Sequence, residues 1–484
     1  MKLFRLIEWL TLLSMGMVAA LGNGVSHNRK WPNTKTSHFF DPDCSSQKPG
    51  YMNKTARAKR GEKRAICSCC DREPVCIVSI LSGTGPCCIT GQKRSRLREE
   101  IYRKIQTELD TCTAYIEYRI RQNHLLIIVV KRHNCFIRSK ALDRRFPASV
   151  RLYRTLLQQH TLIKKKKQQR FFQTSHYLYR VLIEPVSDHI LSCNRLAIVA
   201  GDELSQLAFE TFVTSYDSAA TFSTAAWLVR RYSIQYHYDA ERIIGAEPRS
   251  TDYQYDFSGY APMTDKNTKP EKGFPPQTGH SRREYRLSNH AGRHVPVLSL
   301  SSSRREVSAI VDAFRRNGLK AEGHYGNGAT KKRFKRQAGS RVLHMATHGV
   351  YLPGRPGLNG LMFYSRKANP RRYLLSPAEI LRLDLNCDLL VLACCESGVK
   401  KWNYHRDKIS LAACFIHSGT PNVICTLWPI NDRHSSFFML QFYRALLAGD
   451  SYVQALRRAK LKSLENKTAA LPCHWASFLL IGKL

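Results

Sequence analysis

Acidic residues are scarce in this sequence. Only 37 Asp and Glu stand against 76 Lys and Arg in 484 residues, which gives a formal net charge of +39. A surplus of that size attracts phosphates, anionic membranes or acidic proteins. Nucleic acid therefore has to be weighed as a partner.

Long hydrophobic runs are also lacking. The apolar stretch from Trp9 to Leu21 is interrupted and falls short of the roughly 20 residues that a membrane-spanning helix requires. Its basic start and the small residues at 18–20 fit a secretory signal, whereas Glu8 does not. We expect no membrane association and a cytoplasmic location, with residues 1–20 as a weak indication of export.

Cysteine is too sparse for a small disulfide framework, because 16 cysteines are spread over the whole chain. Six of them cluster between Cys67 and Cys88, where thiolate pairs could chelate zinc or could occur together by chance. We predict no metal site there. A hydrophobic fraction of 43% indicates a globular protein and excludes a disordered or fibrous one.

The chain divides into a leader and two halves. Residues 1–95 are basic, irregular and rich in cysteine, whereas 96–293 and 294–484 each alternate predicted strands with predicted helices. Residues 164–167 are predicted as a solvated loop and 246–293 as a linker. Nearly continuous apolar strands between helices predict an α/β fold with mostly parallel sheets covered on both faces.

Ligands bind such sheets beyond the carboxyl ends of the strands. Three predicted strands of the second half end in chemically useful residues. The first, 341–346, leads to His348 and Gly349; the second, 389–394, leads to Cys395; the third, 422–427, leads to Trp428 and then Asp432. All three ends should open on one crevice.

A thiol becomes a good nucleophile when an imidazole can take its proton, which requires contact in space. His348 and Cys395 at neighbouring strand ends would meet that requirement. The main-chain N–H groups of Gly349 and Cys395 could form an oxyanion hole. Successive side chains on a strand point to opposite faces, so Cys394 is expected to be a buried, inert thiol, and His344 a hydrogen-bonded core histidine.

These motifs resemble the CHAT family of caspase-like cysteine peptidases, relatives of separases and caspases. The histidine motif is His344-Met345-Ala346-Thr347-His348-Gly349, and the cysteine motif is Leu392-Ala393-Cys394-Cys395-Glu396-Ser397-Gly398. Similarity continues through "LWPIND", "FYRALLAGDSYVQALRRAK" and "HWASFLLIG", and covers about residues 100–484.

The resemblance implies a caspase-like three-layer αβα fold in tandem: an inactive half, 96–293, supporting a catalytic half, 294–484. It implies hydrolysis of peptide bonds in a protein or peptide substrate by a dyad of Cys395 and His348 through a thioester, with no metal or organic cofactor. The alternative within this class is a member whose activity waits on an activating protein partner or on a rearrangement of a loop. Trp428 and Asp432 fall where related enzymes bind substrate, and an acid there would favour Arg or Lys. Asp432 could equally be the N-cap of its own helix.

The alternative is a protein without catalysis, either a silent CHAT scaffold or a basic module that binds nucleic acid or protein. The sequence contains no recognisable nucleic-acid reader, and its basic residues are scattered. That distribution favours weak, salt-sensitive and non-specific nucleic-acid binding.

Overall fold

A computed structural model describes residues 89–159, 162, 164–201, 203–240, 252–263, 284–288, 294–298, 300–336, 339–350, 359–366, 369–394, 397–398, 402–404 and 407–483. Apart from Asp407, the described residues belong to one compact unit formed by Pro74–Tyr404 and Lys408–Leu484.

Eleven strands form the main sheet, in the order β3-β2-β1-β4-β5-β18-β17-β14-β10-β6-β9. Their bounds are β1 (Thr113–Arg121), β2 (His124–Val130), β3 (Cys135–Ala141), β4 (Arg195–Ala200), β5 (Ser233–His237), β6 (Tyr255–Ala261), β9 (Ala321–Tyr325), β10 (Ser340–Ala346), β14 (Leu389–Ala393), β17 (Asn422–Thr426) and β18 (Phe478–Gly482). The smaller sheets consist of β7 (Glu284–Ser288) with β8 (His294–Leu298), of β11 (Gly349–Val350), β12 (Gly360–Met362) and β13 (Leu374–Leu375), and of β15 (Trp402–Tyr404) with β16 (Asp407–Ile409).

The main sheet consists of two parallel blocks that meet in an antiparallel pair. Strands β1, β4, β5 and β18 run parallel and form the first block, whose edge is extended by the antiparallel hairpin strands β2 and β3. Strands β17, β14, β10, β6 and β9 run parallel and form the second block. Because β17 and β18 pair antiparallel, the carboxyl ends of the two blocks lie at opposite edges of the sheet.

Helices separate most of the parallel strands along the chain, as is usual for the crossover connections between such strands. Their bounds are α1 (Ile89–Glu108), α2 (Phe146–Leu157), α3 (Lys165–Leu182), α4 (Ser187–Ile190), α5 (Ser301–Arg316), α6 (Lys331–Arg336), α7 (Pro370–Tyr373), α8 (Pro377–Ile380), α9 (Leu411–His417), α10 (Asp432–Leu447), α11 (Tyr452–Glu465) and α12 (Pro472–Trp475).

Adjacent residues of β10 and its neighbour β6 show that both faces of the second block are covered. His344 contacts Tyr443 of α10, so α10 lies on the face to which His344 points. The next residue, Met345, pairs in register with Tyr260, whose ring packs on Phe334 of α6. Successive side chains point to opposite faces, so α6 covers the other face and the block has three layers.

The predicted α/β fold with a large, mostly parallel sheet is confirmed. The three strands expected at 341–346, 389–394 and 422–427 appear within one residue of those bounds, as β10, β14 and β17. Two predictions were wrong. Residues 165–167 begin α3 instead of forming a solvated loop, because the apolar residues after them bury one face of the helix. The segment 246–293, predicted as a linker, contains β6, which pairs with β10 and β9 inside the second block.

No helix among the described residues is both long enough and apolar enough to cross a membrane. The stretch from Trp9 to Leu21 and the cysteines between Cys67 and Cys88 lie outside the described residues.

Candidate active site

Three strand ends form the candidate site, as the sequence predicts. Strand β10 pairs with β14 up to Ala346 and Ala393, and β14 pairs with β17. All three strands are parallel, so their carboxyl ends lie side by side at one edge. His348 follows the last residue of β10 by two positions and is half-buried at this edge.

The chain around His348 is fixed by strand β12. The amide of Met362 donates to the carbonyl of His348 at 3.0 Å. The hydroxyl of Thr347 donates to the carbonyl of Met362 at 2.6 Å. Gly349 opens β11, where it pairs in register with Leu361 of β12. This small sheet therefore begins directly at the histidine and sets the backbone from which its imidazole projects.

Cys395 and Glu396 lie outside the described residues, but the residues on either side are described and contact one partner. The hydroxyl of Thr426, the last residue of β17, donates to the carbonyl of Cys394 at 2.6 Å. The amide of Thr426 donates to the hydroxyl of Ser397 at 3.1 Å. Thr426 therefore fixes the chain on both sides of the predicted nucleophile.

Gly398 completes this anchor. Its amide donates to the carbonyl of Thr426 at 2.9 Å. A Cβ atom at this position would lie 2.7 Å from the sulfur of Cys425 and 3.3 Å from the carbonyl of Thr426. The first distance is far inside van der Waals contact, so the close approach of the two chains requires glycine.

The two residues that the sequence assigns to the interior are there. Cys394 is 4% exposed, as predicted for an inert thiol. His344 is fully buried, as predicted for a core histidine. Its Nδ1 lies 3.0 Å from the hydroxyl of Tyr443, and its Nε2 lies 2.8 Å from a carboxylate oxygen of Glu306.

Glu306 is a residue that the sequence reasoning missed. Its second oxygen accepts a hydrogen bond of 2.7 Å from Ser436 of α10, so one buried carboxylate joins α5, β10 and α10. Burial raises the pKa of Tyr443, the other partner of His344, so its hydroxyl stays protonated. A signal was available in the sequence: Glu306 shares a helical face with the apolar residues Val307 and Ile310.

Trp428 follows the end of β17 but points into the core. It is 2% exposed, and its indole N–H donates to the carbonyl of Cys473 at 3.1 Å. Its amide and its carbonyl both bind the hydroxyl of Ser477. The indole ring is therefore part of the core and is not exposed at the edge of the sheet.

Asp432 is the first residue of α10, and its carboxylate is bound to another helix. Its Oδ2 accepts a hydrogen bond of 2.7 Å from the amide of Ser302 at the start of α5. Burial raises the pKa of Asp432, and the hydrogen bonds from Ser302 oppose that rise. The alternative in which Asp432 caps its own helix was wrong, because Asn431 is the N-cap and accepts from the amide of Arg433 at 3.0 Å.

Among the described residues, no group of three or more His, Cys, Asp or Glu side chains is placed to hold a metal ion.

Comparison with known proteins identifies the family. The model of the CHAT domain matches residues 173–483. The chain belongs to the CHAT domain family. The match covers more than half of the chain and includes both the histidine and the cysteine motif.

Individual relatives match over shorter stretches. The chain is 33% identical over 109 residues to tetratricopeptide repeat protein 28 of Homo sapiens and 30% identical over 112 residues to its counterpart in Mus musculus. These matches cover 22% and 23% of this chain but only 4% of each relative, so the chain spans a small part of their length.

Solved structures with a similar backbone include the following two. Separase of Saccharomyces cerevisiae, in complex with securin, has a TM-score of 0.46 at 9% identity and covers 81% of this chain and 31% of that chain. The Arg-specific cysteine proteinase gingipain R has a TM-score of 0.37 at 7% identity and covers 70% of this chain and 75% of that chain.

Proposed function

We propose that this CHAT protein is a cysteine endopeptidase in which Cys395 is the nucleophile and His348 the general base. One observation carries the proposal: His348 is half-buried at the end of β10, while Thr426 binds the residues on both sides of Cys395. His348 and the residues on either side of Cys395 therefore lie at one edge of one sheet, where parallel α/β sheets bind ligands.

The proposed reaction uses the side chains of Cys395 and His348, two main-chain N–H groups and one water molecule. His348 takes the thiol proton of Cys395, and the sulfur attacks the carbonyl carbon of the scissile peptide bond. The main-chain N–H groups of Gly349 and Cys395 would donate to the oxygen that becomes negative. The protonated imidazole then gives its proton to the leaving amine, and water attacks the thioester to release the acid and restore the thiol.

Cleavage after Arg or Lys would require Asp432 to accept from the substrate as well as from Ser302. Replacement of Asp432 by Asn separates the two roles. A substrate role predicts a loss of preference for basic residues at the cleaved position. If Asp432 only accepts the hydrogen bond from Ser302 at the start of α5, the variant should be less stable but should keep the same preference.

The nucleophile is tested by alkylation with an iodoacetamide probe near neutral pH. Cys112 is an exposed, free cysteine on the same chain and serves as the internal control. We expect faster labelling at Cys395 than at Cys112, because only a thiol beside a base is largely ionised near neutral pH. His348→Ala should slow the alkylation of Cys395 about tenfold or more and should leave the alkylation rate of Cys112 unchanged.

Equal labelling of both thiols, or an unchanged rate at Cys395 in the His348→Ala variant, would instead indicate a CHAT scaffold without catalysis. Proteolysis itself is tested by mapping new protein N-termini in cells that carry the chain or its Cys395→Ser variant. N-termini that depend on Cys395 support an endopeptidase and also name the substrate.

A further inference from the structure

A strongly basic cleft lies beside α6, in a part of the chain that the proposed peptidase mechanism does not use. Its volume is about 710 Å³. Three short segments form its walls: α6, the residues after β12, and α7. The lining residues are Asn327, Thr330, Lys331, Lys332, Lys335, Arg336, Tyr364, Ser365, Arg366, Arg371 and Arg372.

Seven of these eleven residues are lysine or arginine, and none is acidic. One carboxylate, that of Glu379, contacts the group and binds Lys331 at 2.9 Å and Lys335 at 2.6 Å. Although burial opposes it, hydrogen bonds from these two lysines hold the pKa of Glu379 at about 2, so its charge is present at neutral pH. A single negative charge does not balance seven positive ones.

The other five cations are Lys332, Arg336, Arg366, Arg371 and Arg372. Within the part of the chain that the structure describes, no ion pair joins any of them to a carboxylate. The primary sequence explains this: from residue 323 to residue 378 it contains eleven Lys and Arg and no Asp or Glu. The segments that line the cleft and the chain between them therefore contribute no acidic side chain.

The walls are held in place by contacts that do not involve the charged groups of these five side chains. The amide of Phe363 donates to the carbonyl of Tyr373 at 2.7 Å, and the amide of Tyr364 donates to the carbonyl of Ala329 at 3.0 Å. The ammonium of Lys331 donates to the carbonyls of Arg371 and Leu374 at 2.6 and 2.7 Å. The cleft thus keeps its shape, and a bound anion would relieve the repulsion among its positive charges.

We propose that this cleft binds a compact anion that carries several phosphate groups. Arginine forks bind phosphate oxygens in pairs, and lysines add point charges. The cleft volume falls within the range of about 300–1,000 Å³ typical of small-molecule sites. Single-stranded nucleic acid is favoured less, because such sites stack bases on several aromatic rings and Tyr364 is the one ring in the described lining.

The test is isothermal titration of the full chain with sodium tripolyphosphate at about 150 mM salt, a concentration that screens diffuse surface charge. The cleft variant is Arg366→Gln, Arg371→Gln, Arg372→Gln. The matched control is Lys164→Gln, Lys165→Gln, Lys166→Gln, which removes the same charge from exposed residues at the start of α3. Circular dichroism and thermal unfolding verify that each variant folds.

We expect tripolyphosphate to bind the unaltered chain, at least tenfold weaker binding by the cleft variant, and binding by the control within twofold of the unaltered chain. Arg366→Lys, which keeps the charge but loses the fork, should weaken binding less than Arg366→Gln. No binding of tripolyphosphate, or an equal loss in both triple variants, would overturn the proposal.

Single-stranded DNA of 20 nucleotides and a polyglutamate peptide complete the experiment. Tighter cleft-dependent binding of either one than of tripolyphosphate would also overturn the proposal, in favour of a macromolecular partner. None of these measurements depends on Cys395, so they succeed or fail separately from the proposed peptidase activity.

Discussion

The two parallel blocks of the main sheet differ in how deeply the histidine at the end of a strand is buried. In the first block, β5 ends in His237, which is 6% exposed, and burial lowers the pKa of its imidazole to about 3 although its hydrogen bond to the carbonyl of Gly482 opposes this. In the second block, β10 leads to His348, which is half-buried. A parallel strand followed by a histidine is therefore not enough to make a site.

The two histidines differ because the chain takes a different course around each of them. After His348 the chain enters the small sheet of β11, β12 and β13, which fixes the backbone and leaves the imidazole near the surface. His237 remains inside the sheet, in register with Val199 of β4. We propose on this basis that the first half of the chain, 96–293, supports the second half and has no catalytic part of its own.

Glu210 and Glu306 are two buried glutamates with different partners. In the first half, Glu210 binds Lys460 of α11 at 2.5 Å, and both side chains are 1% exposed. Lys460 comes from the other half of the sequence, so this ion pair joins the halves. In the second half, Glu306 binds His344 and Ser436 and stays within that half.

The largest expected effect is at the ion pair that joins the halves. Lys460→Met leaves the carboxylate of Glu210 buried without its cation, although the hydroxyl of Tyr236 still donates to it. Removing one partner of a buried ion pair costs about 3–5 kcal/mol in the free energy of unfolding. Urea denaturation measures this loss. Lys462→Met is the matched control on the same helix, since the pair of Lys462 and Glu465 is exposed and is worth less than about 1 kcal/mol. Similar losses in the two variants would show that Lys460 does not join the halves.

The corresponding change in the second block should cost less. His344→Leu removes two buried hydrogen bonds, yet Glu306 keeps its bond from Ser436. We expect a loss of about 2–3 kcal/mol in the free energy of unfolding, measured in the same urea experiment. A loss greater than that of Lys460→Met would reverse the ranking of the two buried glutamates.

A third variant tests the anchor of the cysteine segment. Thr426→Val keeps the shape of the side chain but removes the hydroxyl that binds the carbonyl of Cys394. The free energy of unfolding should fall by about 1–2 kcal/mol, and alkylation of Cys395 should slow relative to Cys112. Thr426→Ser retains a hydroxyl and should recover most of both effects. Equal behaviour of the two variants would mean that the hydroxyl does not fix the segment.

The smallest expected effect is the dependence of the free energy of unfolding on pH that His237 causes in the first block. Because burial lowers the pKa of His237 below its unfolded value, the unfolded chain binds more protons below about pH 6.5, and stability falls as the pH falls from there toward 3. Between pH 7 and 5.5 the expected loss is about 1 kcal/mol. His237→Asn, which keeps a donor for the carbonyl of Gly482, should remove this part of the pH dependence. An unchanged pH dependence in that variant would place the titrating group elsewhere.

Local pattern was sufficient to predict β4, β10, β14 and β17, because continuous apolar runs bounded by small residues have few other solutions. It was insufficient for β6 and β9, whose sequences contain Gly259 and Gly323 among polar residues. These strands are held by pairing with strands that are distant in the sequence. Pairing of that kind produces no alternation of apolar and polar residues in the strand itself, so the sequence pattern does not reveal it.

The same division applies to the site. Neighbouring strand ends and the interior positions of His344 and Cys394 followed from alternation and from the parallel direction of the strands. The carboxylate of Asp432 could not be assigned this way, because its partner, the amide of Ser302, lies 130 residues away. Glu306 and Thr426 were missed for the same reason, since both act through contacts between separate elements.

The sequence by itself determined the α/β class, the CHAT motifs, the strands that end at His348 and Cys395, and the excess of positive charge. Only the tertiary structure decided that the two halves share one sheet with opposed blocks, that Trp428 turns inward, and that the basic residues on either side of β12 line one cleft. The physical reason is range: strand and helix patterns arise from neighbours in the chain, whereas burial, ion pairing and clefts depend on residues that only folding brings together.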